Sequence, residues 1–167
     1  ARSIDRIGWV GKEFYPYRVD GEMELETDAA SVSQMIVGLT QAGSYAEWLR
    51  AAEIVRAGCI SRAILAGSFA SPLLHWLKHR VFLTHGWHDS RGGKTATLKL
   101  ALAVWGDPVR LLTSYHATAV GLERSCASMK HLPLGLDELQ ALADKKMAVE
   151  SVVYSLGNGF GKLRGSR

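Results

Sequence analysis

The sequence predicts an α/β fold: a parallel β-sheet with helices on both faces, preceded by a small β-hairpin and a helical lead-in. Two observations support this. From Arg80 onward, short apolar segments of strand type alternate with segments of helical periodicity, a pattern typical of parallel sheets. A glycine-rich turn at residues 86–93 also joins the first of these strands to the helix that follows it.

The composition is that of one soluble globular domain. The chain has 167 residues, a net charge of +4 and two cysteines, Cys59 and Cys126, without metal-ligand spacing. This cysteine usage indicates reduced thiols and a cytoplasmic protein. The most apolar stretch, residues 60–77, is interrupted by polar residues, so we expect a core helix pair and no membrane partner.

The predicted lead-in begins with a β-hairpin. Segments 7–10 and 13–17 are of strand type and flank a turn at residues 11–12. We assign no element to residues 18–41.

Two helical stretches follow in the lead-in. Ser44 and Glu47 form a capping box at the start of the first helix, because each can satisfy an amide that the first helical turn leaves unpaired. Gly58 is expected to end this helix. The second stretch covers residues 60–77, and Pro72 should kink or break it.

The sheet is expected after residue 79. Its predicted strands are 81–84, 109–113 and 132–136. The helix after the first strand should end at Gly106 and Pro108. Thr118 can cap the next helix, and a last helix carries Ala148, Val152 and Leu156.

Residues 88–95, His-Asp-Ser-Arg-Gly-Gly-Lys-Thr, match the P-loop pattern G-x-x-x-x-G-K-[ST] except at the first position. His88 stands there, and Gly86 can take over part of the turn. Lys94 would bring positive charge to the β- and γ-phosphates of ATP, and the Thr95 hydroxyl suits Mg²⁺. Arg91 could contact phosphate or solvent. The expected nucleotide contacts are Asp89, Ser90, Arg91, Gly92, Gly93, Lys94, Thr95 and Ala96. The alternative is a chance Gly-Lys-Thr.

An acidic pair ends the third predicted strand, and this arrangement is typical of a Walker B motif. Asp137 would hold the Mg²⁺ shell. Glu138 would act as the general base that activates water, which favours hydrolysis over a kinase reaction. The alternative is an acidic helix N-terminus, since acids there interact favourably with the helix dipole.

Five segments together resemble an uncharacterised-domain family of phages, plasmids and chromosomal cassettes. They are residues 7–9, 86–108, 118–124, 132–138 and 154–164. Members of that family look like AAA+ ATPases, and some resemble MCM-like helicases of mobile elements. The resemblance assigns Walker A to Lys94 and Thr95 and Walker B to Asp137 and Glu138.

The resemblance also implies an organisation and partners. Residues 79–167 would be the first part of the ATPase core, from Walker A to a hairpin after Walker B. Residues 1–78 would be a lead-in packing on the motor, which their apolar helices favour, or a separate collar. Lys162, Arg164 and Arg167 would touch DNA phosphates without sequence preference, or else form a solvated basic tail. The full protein would form a homo-oligomeric ring. The family's sensor strand, arginine finger and helical lid are missing, so we expect a truncated piece with unpaired strand edges.

These features lead to three hypotheses. The first is an ATP-hydrolysing AAA+-like motor domain of a DNA helicase or replication protein from a mobile element or phage, weakly active or inactive as this piece. The second is a nucleotide-dependent switch or loader without unwinding activity. The third, ranked last, is a small-molecule kinase.

Overall fold

A computed structural model of the chain describes residues 2–4, 7–17, 23–25, 35–87, 92–114, 125–137 and 154, and the findings below concern these residues. Its strands are β1 (Arg2–Ile4), β2 (Gly8–Val10), β3 (Glu13–Tyr15), β4 (Met23–Leu25), β5 (Leu112–Ser114) and β6 (Gly135–Asp137). Its helices are α1 (Tyr45–Val55), α2 (Cys59–Ala70), α3 (Leu73–Leu77), α4 (Lys94–Leu102) and α5 (Pro108–Leu111). Residues 35–38 and 125–128 are also helical.

The strands pair two by two. β1 pairs with β4 in parallel, β2 with β3 antiparallel, and β5 with β6 in parallel. The register of the last pair sets Leu112 opposite Gly135 and Ser114 opposite Asp137. The carboxyl ends of β5 and β6 therefore lie at the same edge.

The predicted hairpin is confirmed. β2 and β3 flank Gly11, whose φ of 64° is a left-handed conformation that glycine adopts without strain. Trp9 and Phe14 are directly opposite each other, and their ring centroids lie 4.7 Å apart. The hairpin docks on the segment before β6, because the Ile7 amide donates to the Ser128 carbonyl (2.9 Å).

The helical part of the lead-in agrees with most of the predictions. Ser44 is the N-cap of α1, and its Oγ accepts a hydrogen bond from the Glu47 amide (3.5 Å). The predicted break at Pro72 is confirmed, since α2 ends before it and α3 begins after it. Gly58 does not end α1, which stops at Val55; instead it is the N-cap of α2.

Residues 81–84 are not a strand, contrary to the prediction. They belong to no helix or strand and are exposed, and residues 80–87 form no hydrogen bond within the described part of the chain. The physical reason is that a strand exists only through pairing, and none of the described strands lies beside this segment.

The predicted strand 109–113 is also wrong over its first half. Asp107 accepts a hydrogen bond from the Val109 amide (2.9 Å), and Pro108 occupies the first position of the short helix α5. Such a cap followed by proline favours a helical turn, so β5 begins only at Leu112. The third strand is shorter than predicted and is shifted to Gly135–Asp137. Thr118, the predicted cap of the next helix, lies outside the described residues, and so does most of the last predicted helix.

Helix α4 lies at the centre of the packing. Leu102 belongs to a buried cluster that draws on both the first 78 residues and the later ones: Ile7, Met35, Leu39, Leu102, Leu111, Met129 and Leu132. Ala101 packs in a second cluster with Ala52 of α1 and Leu65 of α2. A Cβ on Gly135 would lie 2.5 Å from Leu102 Cδ1, so α4 packs directly on β6. These contacts place the first turn of α4 beside the end of that strand.

Ser68 fastens α2 to α4. Its buried Oγ donates to the Ala101 carbonyl (2.6 Å) and accepts from the Trp105 indole nitrogen (2.9 Å).

We expect Ser68→Ala to lower the free energy of unfolding by about 2 kcal/mol, because it leaves the partly buried Trp105 indole N–H and the Ala101 carbonyl without their shared partner. Urea unfolding followed by tryptophan fluorescence measures this loss. Ser71→Ala is the matched control, since the Ser71 hydroxyl donates only to the Gly67 carbonyl one turn earlier (3.2 Å). Equal losses in the two variants would contradict the role given to Ser68.

None of the described helices is long and apolar enough to cross a membrane.

Candidate functional site

The first turn of α4 carries Lys94 and Thr95, the residues of the predicted Walker A motif. Gly93, its N-cap, has a φ of 75°, a left-handed conformation in which other residues are strained. Lys94 is the first helical residue, and the Gly93 carbonyl accepts from the Thr97 amide (2.9 Å). The amides of the first helical turn have no partner inside the helix and carry partial positive charge. They therefore suit an anion.

A shallow cleft of about 310 Å³ lies over this turn. It is lined by Gly92, Gly93, Lys94, Thr95 and Ala96, all of them exposed. Backbone amides, one lysine and one hydroxyl thus face the same open space, the combination that recognises phosphate oxygens.

The site's most specific contact joins Thr95 to Asp137. The Thr95 hydroxyl donates to Asp137 Oδ2 at 2.8 Å, although the two residues are 42 positions apart. Asp137 is the last residue of β6, and Thr95 lies in the first turn of α4. The packing of Leu102 against Gly135 holds the helix and the strand in this relation.

The two oxygens are suitable for a divalent cation. Mg²⁺ prefers oxygen ligands, and in nucleotide sites it uses one or two protein groups while phosphates and water fill its other positions. A hydroxyl and a carboxylate that already lie within hydrogen-bond distance meet that requirement. Among the described residues there is no cluster of three or more His, Cys, Asp or Glu side chains that could form a different kind of metal centre.

The remaining predicted site residues lie outside the described part of the chain. These are Asp89, Ser90 and Arg91 of the loop, Glu138 after the strand, and the basic residues Lys162, Arg164 and Arg167. His88, which departs from the P-loop pattern, also lies outside it.

Ser114 is a position that the sequence analysis did not single out. The register of β5 and β6 places its backbone opposite Asp137, at the carboxyl edge of the strand pair. Ligands of parallel sheets gather at that edge. A polar residue at the end of a predicted strand was therefore the available signal.

His131 has a structural role on the other side of the described fold. Its Nδ1 accepts a hydrogen bond from the Trp9 amide (2.9 Å), and its ring lies 4.6 Å from that of His75. Gly8 is required beside it, because a Cβ there would lie 2.7 Å from His131 Nδ1. His131 therefore serves as a hydrogen-bond acceptor for the hairpin.

A protein-family model described as "Domain of unknown function (DUF927)" matches residues 1–167. A search of curated proteins finds no match to the chain.

Proposed function

The chain belongs to the DUF927 family, and we propose that it binds Mg²⁺-ATP at the start of α4 and is part of an ATP-hydrolysing P-loop core of the AAA+ type. The observation that carries the proposal is the 2.8 Å hydrogen bond between Thr95 and Asp137. Each of these residues is the metal-binding member of its motif, Walker A for Thr95 and Walker B for Asp137.

The alternative, a chance Gly-Lys-Thr, accounts poorly for this contact. A chance tripeptide would have no reason to begin a helix at a left-handed glycine, and none to face an aspartate at the end of a parallel strand. In a nucleotide site both features are needed, since the glycine turns the backbone amides toward phosphate and the aspartate completes the cation site.

In this proposal each described residue of the site contacts a different part of Mg²⁺-ATP. The amides at Gly93 and in the following turn would bind phosphate oxygens, and Lys94 would neutralise the charge at the β- and γ-phosphates. Thr95 and Asp137 would hold Mg²⁺, which when bound offsets the negative charge that develops on the phosphate oxygens. Glu138 follows Asp137 in the sequence and would accept the proton of the attacking water.

The finer proposal is a motor that acts on DNA. It is supported by the resemblance to AAA+ proteins of mobile elements and by the acid-free basic stretch 162–167, where cations would meet phosphates irrespective of sequence. A homo-oligomeric ring would supply the arginine finger from a neighbouring subunit.

The second candidate is a nucleotide-dependent switch or loader, favoured by His88 at the first position of the P-loop. Processive ATP consumption on DNA separates the motor from the switch.

The Thr95→Ala variant tests the Mg²⁺ site directly. We expect it to bind Mg²⁺-ATP roughly 10- to 100-fold more weakly, because it lacks the hydroxyl that faces Asp137. In EDTA its affinity for ATP should equal that of the unaltered chain, since Thr95 then has no cation to hold. Isothermal titration calorimetry with and without Mg²⁺ measures both.

Thr95→Ser is the matched control, because serine keeps the hydroxyl and should keep the Mg²⁺ dependence. Equal Mg²⁺-ATP affinities in the unaltered chain, Thr95→Ala and Thr95→Ser would contradict the proposed cation site.

A further inference from the structure

One long stretch of the chain contains cations and no acids. Residues 54–88 include Arg56, Arg62, Lys78 and Arg80 but neither aspartate nor glutamate. The chain as a whole has 16 acids for 20 lysines and arginines, so positive charge without compensation is concentrated here. An even mixture of both signs would have indicated an ordinary solvated surface.

The fold turns part of this stretch outward. Lys78 caps α3 with a φ of 52°, the one positive φ among the described residues other than glycine. A left-handed residue at this position reverses the chain. Lys78, His79 and Arg80 follow one another at the reversal, and all three are exposed. Neither Lys78 nor Arg80 forms an ion pair within the described part of the chain.

After the reversal the chain runs along one face of α2. A Cβ on Gly67 would lie 3.3 Å from Thr84 Oγ1 and 3.5 Å from the ring of Phe82. Farther along, a Cβ on Gly86 would lie 3.1 Å from Ile64 Cδ1. Residues 81–87 therefore pack on α2. Seven residues span at most roughly 25 Å even when fully extended.

Two exposed indole rings flank the chain reversal: Trp76 lies on α3 before it, and Trp87 is the last residue of the segment. Trp76 is 50% exposed although its ring packs edge-on against Trp9 at 5.1 Å, and Trp87 is 75% exposed. Between them, residues 80–87 form no hydrogen bond within the described part of the chain. Residues 76–87 thus offer exposed aromatic rings at both ends, exposed cations without an ion pair in the described part of the chain, and, over residues 80–87, backbone donors without a hydrogen bond there.

We propose that this surface, the basic–aromatic strip of Trp76, Lys78, His79, Arg80, His85 and Trp87, binds single-stranded nucleic acid. Cations of one sign match a phosphate backbone, and exposed rings can stack on unpaired bases of any sequence. Duplex DNA offers no such base faces, because its bases are stacked on one another. This proposal rests on the proposed function for its partner, a nucleic acid. Because binding at the strip requires no ATP, the strip and the nucleotide site can be tested separately.

Fluorescence anisotropy of a labelled oligothymidylate, titrated with the full chain in the absence of ATP, tests the strip. We expect Trp87→Ala to weaken binding roughly 5- to 100-fold through the loss of one stacking platform. We expect the double variant Lys78→Gln with Arg80→Gln to lower the slope of log K against log salt concentration by about 1.4, which corresponds to two phosphate contacts on a single strand.

Tyr45→Ala and Arg50→Gln are the matched controls. Tyr45 is 77% exposed and Arg50 is an exposed cation, and both belong to α1, which is not part of the strip. We expect both variants to bind the oligonucleotide as the unaltered chain does. Circular dichroism establishes that each variant is folded.

Four results would overturn the proposal. The first is equal weakening by the strip variants and the controls. The second is no binding of the oligonucleotide by a chain that still binds Mg²⁺-ATP, which would leave the proposed nucleotide site intact. The third is equal affinity for duplex DNA, or binding to anionic lipid vesicles in place of the oligonucleotide. The fourth is self-association that the strip variants abolish without oligonucleotide binding, which would assign the surface to a second copy of the chain.

Discussion

The Lys94→Ala variant should bind ATP roughly 10- to 100-fold more weakly than the unaltered chain, because it would lose the charged hydrogen bonds to phosphate that we propose for this lysine. The cleft at the start of α4 has five lining residues, and Lys94 is the only cation among them. Alanine is a strong helix former, so the helix itself should persist. Unlike Thr95→Ala, this variant should bind weakly in EDTA as well as in Mg²⁺, since the lysine acts on phosphate and not through the metal.

In Lys94→Ala, the rate of ATP hydrolysis should fall by a larger factor than the affinity for ATP. Negative charge moves onto the phosphate oxygens as the reaction proceeds, and removal of one group that stabilises such charge costs about 100- to 1,000-fold in rate. Calorimetry measures the affinity, and release of inorganic phosphate under ATP saturation measures the rate.

Lys99→Ala is the matched control for Lys94. Lys99 lies in the last turn of the same helix and makes no contact with the cleft, so its replacement should leave ATP affinity unchanged. If both lysine variants bound ATP as tightly as the unaltered chain, the phosphate site would not be at the start of α4 and the proposed function would fail with it.

The Gly106→Ala variant is expected to be the most destabilising single-methyl change, lowering the free energy of unfolding by about 3 kcal/mol. A Cβ at this position would overlap the Gly38 carbonyl oxygen and lie 3.0 Å from Leu39 Cα. Both are backbone atoms, which cannot rotate away as a side chain can. The same carbonyl accepts a hydrogen bond from the Asp107 amide at 2.7 Å, so moving it apart would break a buried contact.

Gly86→Ala shows what the same methyl group costs where the neighbours are flexible. Its Cβ would meet only the ends of the Ile64 and Ile60 side chains, at 3.1 and 3.8 Å, and we expect a loss below about 1 kcal/mol. Urea unfolding followed by tryptophan fluorescence compares the two variants. A Gly106→Ala protein as stable as Gly86→Ala would show that the turns at residues 38 and 106 do not pack as described.

Helix ends and the tight turn were the features that sequence reasoning predicted best. The Ser44 cap, the hairpin turn at Gly11 and the break at Pro72 each depend on residues within about one turn of one another. Caps, tight turns and helix breaks are determined by neighbouring residues and need no partner from elsewhere in the chain. The misplaced end of α1 fits the same rule, since Gly58 can serve either the helix before it or the helix after it.

Strands were predicted less well because their stability comes from a partner. Val81, Phe82 and Leu83 have the side chains of a buried strand, yet they are 53%, 47% and 51% exposed. No described strand pairs with them, and apolar periodicity cannot tell whether one will. At residues 108–111 a local cap and proline prevailed over a run of strand-forming side chains.

From the sequence alone one could predict a helix starting at a glycine before Lys94 and Thr95, because this short motif is local. The sequence also specified the acidic end of β6. Only the tertiary structure decided that Thr95 meets Asp137, because the packing of α4 on β6 closes a separation of 42 residues. It likewise left the cations and tryptophans between residues 76 and 87 exposed. The type of each side chain can be read from the sequence. Which residues far apart in the chain come into contact depends on the burial of apolar side chains between their helices and strands.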